Sequence, residues 1–179
     1  MKFNKIWLWA LLILGAFVFE AAAKADKSID YECSEVEGKL FCLDEKGKPL
    51  TGKWEKYDLH GNRTSIENFK NGYFDGLCSY FADGRIAERQ YYKQGVRNGQ
   101  YKKFYLNRTF QITAEYSNGL LDGKIDLMYP NGKLHGRMTY KAGKLKRGYC
   151  IDEDGKKTDF SEEIIAQYQN NEINMCGMK

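Results

Sequence analysis

Residues 116–125 read Tyr116-Ser117-Asn118-Gly119-Leu120-Leu121-Asp122-Gly123-Lys124-Ile125, and residues 128–134 read Met128-Tyr129-Pro130-Asn131-Gly132-Lys133-Leu134. Asn-Gly and Asp-Gly beside aromatic and apolar residues are strong hairpin signals, because Gly and Asn reach φ > 0 with little steric cost. Two such turns separated by one short strand read as a meander of short antiparallel strands.

The same spacing recurs along the chain. Paired glycines occur in Asn71-Gly72-Tyr73-Phe74-Asp75-Gly76, in Gln94-Gly95-Val96-Arg97-Asn98-Gly99, and in a looser form in Ala142-Gly143-Lys144-Leu145-Lys146-Arg147-Gly148. Lys46-Gly47-Lys48-Pro49-Leu50-Thr51-Gly52 reads as an earlier, slightly longer copy. The second glycines fall at 52, 76, 99, 123 and 148, so the period is 23 to 25 residues. A further turn follows each pair at His60-Gly61, Asp83-Gly84, Asn131-Gly132 and Asp154-Gly155. Asn107-Arg108 replaces it in one repeat, and a different turn shape is expected there.

Large side chains keep this period. Phe69, Tyr92, Tyr116 and Tyr140 stand three residues before the first glycine. Trp54, Cys78, Tyr101, Ile125 and Cys150 stand two after the second, and Tyr57, Phe81, Phe104 and Met128 five after it. Rows of this kind are the expected core of stacked units, each covering its neighbour's apolar face. The fold class that follows is all-β: one open antiparallel sheet of stacked hairpin repeats over residues 46–157.

These residues resemble a known family. The pattern Tyr-x-x-Gly-x-x-x-Gly-x-aromatic, followed by aromatic-Tyr-x-Asn-Gly-Lys-Leu, is similar to the MORN repeat variant of bacterial proteins, with residues 116–134 as the best copy. The resemblance covers about residues 46–157 and implies interaction or scaffold modules, some of them labelled antitoxins. The family pattern carries no catalytic residues to transfer.

The ends differ from the repeats. Lys2 and Lys5 precede an uncharged run from Ile6 to Phe19, and Ala21-Ala22-Ala23 and Ala23-Lys24-Ala25 offer small-x-small cleavage sites. Residues 1–25 therefore read as a secretory signal peptide, and the chain as exported to the periplasm or secreted. Membrane contact is expected only if this segment stays uncleaved. Residues 26–45 read as an N-terminal hairpin cap: a turn at Glu37-Gly38 pairs Cys33 with Cys42 at a non-hydrogen-bonded position, within disulfide reach. Cys150 with Cys176 is a candidate second bridge, leaving Cys78 buried. In residues 158–179, Asp159-Phe160-Ser161-Glu162 has the spacing of a helix N-terminus, with Phe160, Ile164, Ile165 and Tyr168 on one face, so a short helix to about residue 170 would cap the last repeat.

The chemistry is sparse. The only histidines, His60 and His135, each sit beside a turn glycine three repeats apart, which reads as turn polarity and forms no joint site. No nucleophile elbow, phosphate loop or zinc-binding helix motif occurs. Asp75 and Asp122 suit turns by bonding local backbone. No catalytic, cofactor or metal residue is expected. Residues 1–25 hold three of the 28 basic and one of the 24 acidic residues, leaving 25 against 23, a net of +2. Charges of both signs are interspersed, which argues against nucleic acid as the partner. The expectation is a non-catalytic interaction or scaffold module for a protein, with a glycan or other envelope component as an alternative, and an antitoxin-like role as another.

Overall fold

The computed structural model describes residues 31–167 and Cys176. The expected signal peptide, and Tyr168 of the expected helix face, lie outside the described residues. The chain forms one open antiparallel sheet. A cap hairpin of β1 (Glu32–Val36) and β2 (Lys39–Leu43) precedes β3 (Gly52–Tyr57), β4 (Arg63–Lys70), the two-residue β5 (Tyr73–Phe74) and β6 (Gly76–Ala82). Then come β7 (Arg85–Lys93), β8 (Val96–Phe104), β9 (Phe110–Ser117), β10 (Leu120–Leu121), β11 (Gly123–Met128), β12 (Leu134–Lys141), β13 (Lys144–Ile151) and β14 (Lys157–Asp159), before helix α1 (Glu162–Gln167). Sequential strands pair from β3 to β14, apart from the short tip strands β5 and β10, while β2 pairs with β5.

The paired-glycine turns are hairpin tips. Asn71, Gln94, Asn118 and Ala142 all have φ near +50°, followed by a glycine at φ 77–84°, the two-residue turn whose twist matches the strands. Tips stack through a repeated bond: Gly72 N–H donates to Leu50 O, Gly95 to Phe74 O, Gly119 to Arg97 O and Gly143 to Leu121 O, each at 2.8 Å. The residue before the second glycine adds a side-chain acceptor. Thr51 Oγ1, Asp75 Oδ2 and Asn98 Oδ1 take the N–H of Asn71, Gln94 and Asn118, all at 3.1 Å. Asp122 instead meets Lys141 Nζ. Asp75 and Asp122 thus bond the next repeat about 19 residues on, not the local backbone expected of them.

At the opposite end of the strands, Arg108 adopts φ 70° in the place of Gly61 and Gly132. Its turn keeps their two backbone bonds, here Arg108 N to Tyr105 O and Tyr105 N to Thr109 O. The turn that departs is Asp83-Gly84, a two-residue turn with both φ positive and Ala82 paired to Arg85. One residue is saved, which is why the spacing from Gly76 to Gly99 is 23. Gly47 also changes role. It closes this second kind of turn, Gly47 N to Asp44 O, and is not a tip glycine.

The core lies on one face. Phe69, Tyr101, Tyr116, Ile125 and Tyr140 are buried as expected, while Trp54 and Tyr92 are half-buried. The row at 57, 81, 104 and 128 is not core: Tyr57 is 42% exposed and Phe81, Phe104 and Met128 are only partly covered. A register shift falls before every one of these residues. Such bulges re-aim side chains, and a residue three positions after an inward one has the wrong parity for the same face.

The ends are pinned by two disulfides, Cys33–Cys42 with Cα atoms 4.1 Å apart and Cys150–Cys176 at 5.7 Å. Cys78 is a buried free thiol. Helix α1 is capped by Ser161, whose Oγ accepts the Ile164 N–H, and not by Asp159. Phe160, Ile165 and Cys176 pack on the last repeats, whereas Ile164, expected on that face, is 37% exposed. Among the described residues no helix is long and apolar enough to cross a membrane.

Candidate functional site

The strand pairings align inner-face residues in rows across the sheet. One row runs Lys56, Ser65, Tyr80, Glu88 and Lys103, then Ile112, Leu127, Gly136 and Cys150. In the next, Trp54 pairs with Glu67, Cys78 with Gln90, Gln90 with Tyr101, Tyr101 with Ala114, Ile125 with Met138 and Met138 with Gly148. The first half of each row is mixed, with Glu67 and Gln90 buried between Trp54, Cys78 and Tyr101, and the second half is apolar. The apolar half receives the C-terminal segment at two glycines that leave room for it. A Cβ on Gly148 would stand 2.5 Å from Phe160, and one on Gly136 2.6 Å from Cys176 Sγ. Gly148 lacks the positive φ of the other second glycines, so its likeness to them is in spacing only. His135 belongs to this clamp. Its ring nitrogens face Ile151 O at 3.0 Å and Cys176 O at 2.9 Å, a tie that its place beside a turn did not predict. His60 is an exposed turn residue, as expected.

The mixed half is anchored by Tyr31. Its hydroxyl bonds Glu67, its ring packs against Trp54 and Phe69, and Lys56 Nζ sits 3.7 Å over it. Burial raises the phenol pKa of Tyr31, Tyr80, Tyr92 and Tyr101 above the usual tyrosine range. It also raises the Cys78 thiol to about 11, which leaves it protonated and inert at neutral pH. Between the two apolar clusters stands Arg97, where Leu50, Phe74 and Leu121 stand in neighbouring tips. Its guanidinium lies over Tyr116 and Tyr101 and donates to Tyr116 Oη at 3.2 Å.

A concavity of about 680 Å³ opens at the hairpin tips beside this break. Lys39 of the cap hairpin forms one side, Lys70, Asn71 and Tyr73 the next tip, and Lys93 and Gln94 the tip after it, with Gly76 and Tyr92 beneath. Glycine shapes this groove: a Cβ on Gly95 would meet Tyr73 at 3.1 Å and Lys39 Cβ at 3.3 Å. Lys39 is half-buried, Lys70 and Lys93 are exposed, and none of the three makes an ion pair among the described residues. Asp75 is the one acid lining the groove and already accepts the Gln94 N–H. The arrangement can hold an anion or a polar chain. Of the expected core residues only Tyr92 lines it. The lysines escaped a reading based on runs of charge, because Lys39, Lys70 and Lys93 are scattered in sequence and converge only when tips stack. Among the described residues no group of three metal-ligating side chains forms.

No family model and no curated protein matches the chain. Solved structures share only weak likeness. Accessory secretory proteins 1, 2 and 3 of Streptococcus pneumoniae match at TM-score 0.30 and 14% identity, over 57% of this chain and 19% of theirs. TarM matches at TM-score 0.28 and 11% identity, over 87% of this chain and 24% of its own. The chain therefore spans a quarter or less of the length of either, and likeness at this level carries no functional argument.

Proposed function

We propose that the chain is an exported, non-catalytic interaction module built from MORN-like repeats, and that its partner is a protein of the envelope or the extracellular space. The observation that carries this reading is the division of surfaces. The apolar half of the inner face is occupied by the chain's own C-terminal segment, while the tip groove stays open and carries three lysines without an ion-pair partner among the described residues. The two disulfides fit an oxidising, exported environment. Export through residues 1–25 predicts a mature protein whose mass lacks either 23 or 25 N-terminal residues.

The test is affinity capture from envelope extract on the mature protein, followed by titration of any recovered protein in purified form against the mature chain. Saturable binding of the purified partner supports the reading. No reproducible partner, or turnover of peptidase, esterase or glycosidase substrates that co-purifies with the chain, refutes it. A glycan partner is the second reading, favoured by Tyr73 beside the amides of Asn71 and Gln94 in one groove. The antitoxin-like reading rests on the family resemblance alone.

A further inference from the structure

We infer that the tip groove binds an acidic sugar chain, one whose rings carry carboxylate or phosphate groups. This rests on the reading of the chain as an interaction module and names the ligand class of one of its surfaces.

Three features select this chemistry. Charge comes first. Lys39, Lys70 and Lys93 face one concavity from three different tips, against a single acid whose carboxylate already bonds backbone. An ammonium without a carboxylate partner is open to a charge-assisted bond with an anion. Lys39 is also preorganised. Its strand is tied to β1 by Cys33–Cys42, and its stem rests near Gly95.

The second feature is the polar and aromatic lining. The side chains of Asn71 and Gln94 offer amide donors and acceptors. Tyr73 supplies an apolar ring with a polar tip, which suits the mixed faces of a sugar ring. Tyr73 is held by Phe41 at a ring separation of 5.1 Å.

The third feature disfavours an extended peptide. Strand addition needs free backbone N–H and C=O groups. At these tips the N–H groups of Asn71, Gly72, Gln94 and Gly95 are already taken by Thr51, Leu50, Asp75 and Phe74. Recognition must therefore come from side chains.

The experiment is titration calorimetry of the full mature protein, disulfides intact, with four probes: an oligogalacturonate hexamer, a neutral maltohexaose, a glutamate hexapeptide and inorganic phosphate. The expected result is binding of the acidic hexasaccharide with at most weak binding of the rest. A Lys39→Gln/Lys70→Gln/Lys93→Gln variant should bind it about tenfold or more weakly, and added salt should weaken wild-type binding. The variant's melting curve shows that it is folded. Equal binding of the glutamate peptide would mean charge alone and overturn the sugar assignment. No binding of the acidic hexasaccharide, or binding unchanged in the triple variant, overturns the site. Failure here with a protein partner still captured from extract leaves the interaction module standing and removes only this ligand.

Discussion

Gly148→Ala tests whether the C-terminal segment is seated where the last repeat leaves room for it. The added Cβ would lie 2.5 Å and 2.6 Å from the Phe160 ring and 2.9 Å from Met138 Cγ. The ring must move, and full burial of a phenylalanine is worth about 1.5–3 kcal/mol, so a partly buried one forfeits about 1–2. Crowding of Met138 adds a smaller overpacking cost. Against this, Ala narrows the unfolded ensemble by about 0.4–1 kcal/mol, a gain available because φ at 148 is not positive. The net expectation is a loss of about 1–2 kcal/mol, or a melting point about 2–8 °C lower for a chain of this size. The assay is urea and thermal denaturation of wild type, Gly148→Ala, Phe160→Ala and the double variant. With Phe160 removed, the alanine should be close to neutral, giving a coupling of about 1 kcal/mol or more. If Gly148→Ala costs the same with and without Phe160, the packing argument is wrong.

Arg97→Leu tests whether the two apolar clusters can be joined. Position 97 is exposed, so a leucine there gains only about 1 kcal/mol of burial, set against about 0.5–1 for each cation–π contact and about 1 for the bond to Tyr116, and urea midpoints should change little or fall slightly. A rise in stability of several kcal/mol would show instead that the guanidinium keeps apart two clusters that a leucine can join. Cys33→Ser should cost about 2.5 kcal/mol and Cys176→Ser about 3.5, from sequence separations of 9 and 26, and the reverse order in denaturant would contradict the loop-entropy account. Tyr31, Tyr80, Tyr92 and Tyr101 have raised pKa values in the fold through burial. Their contribution to stability is full below pH 10 and declines above it, as the unfolded chain ionises first. An absorbance titration should show these phenols ionising together with alkaline unfolding, and early ionisation of all tyrosines in the native state would contradict their burial.

Much of this architecture is legible in the residues. Turn glycines, the period and the aromatic rows at 69–140 and 54–125 specify a hairpin stack, because each depends on local backbone preference repeated in phase. The cap disulfide follows from counting back from Glu37-Gly38. What escapes is whatever depends on one residue more or less. The bulges before Tyr57, Phe81, Phe104 and Met128 turn a periodic aromatic row out of the core, and nothing in side-chain periodicity marks a bulge. Gly47 and Gly148 keep the spacing of a repeat glycine while serving a different turn and a packing hole. The mixed half of the inner face is hidden too. Glu67 and Gln90 occupy positions filled by Ala114 and Met138 in later repeats, and both are buried. Their polarity hides them, because an inward position is read from an apolar side chain and Glu67 and Gln90 break that pattern. The groove lysines need tip stacking to meet.

The tip bonds have a consequence for how such a chain can change length. Gly72, Gly95, Gly119 and Gly143 each donate to the same carbonyl of the preceding unit, whatever residue carries it: Leu50, Phe74, Arg97 or Leu121. This backbone bond is therefore independent of side-chain identity, while the side-chain acceptors Thr51, Asp75 and Asn98 vary around it. Excising or duplicating one whole period, two strands and roughly 10 Å of sheet, leaves every junction satisfied. An odd number of residues gained or lost within a strand would instead turn its inward side chains to solvent. Growth by whole units keeps strand parity, and single residues are gained or lost at turns such as Asp83-Gly84.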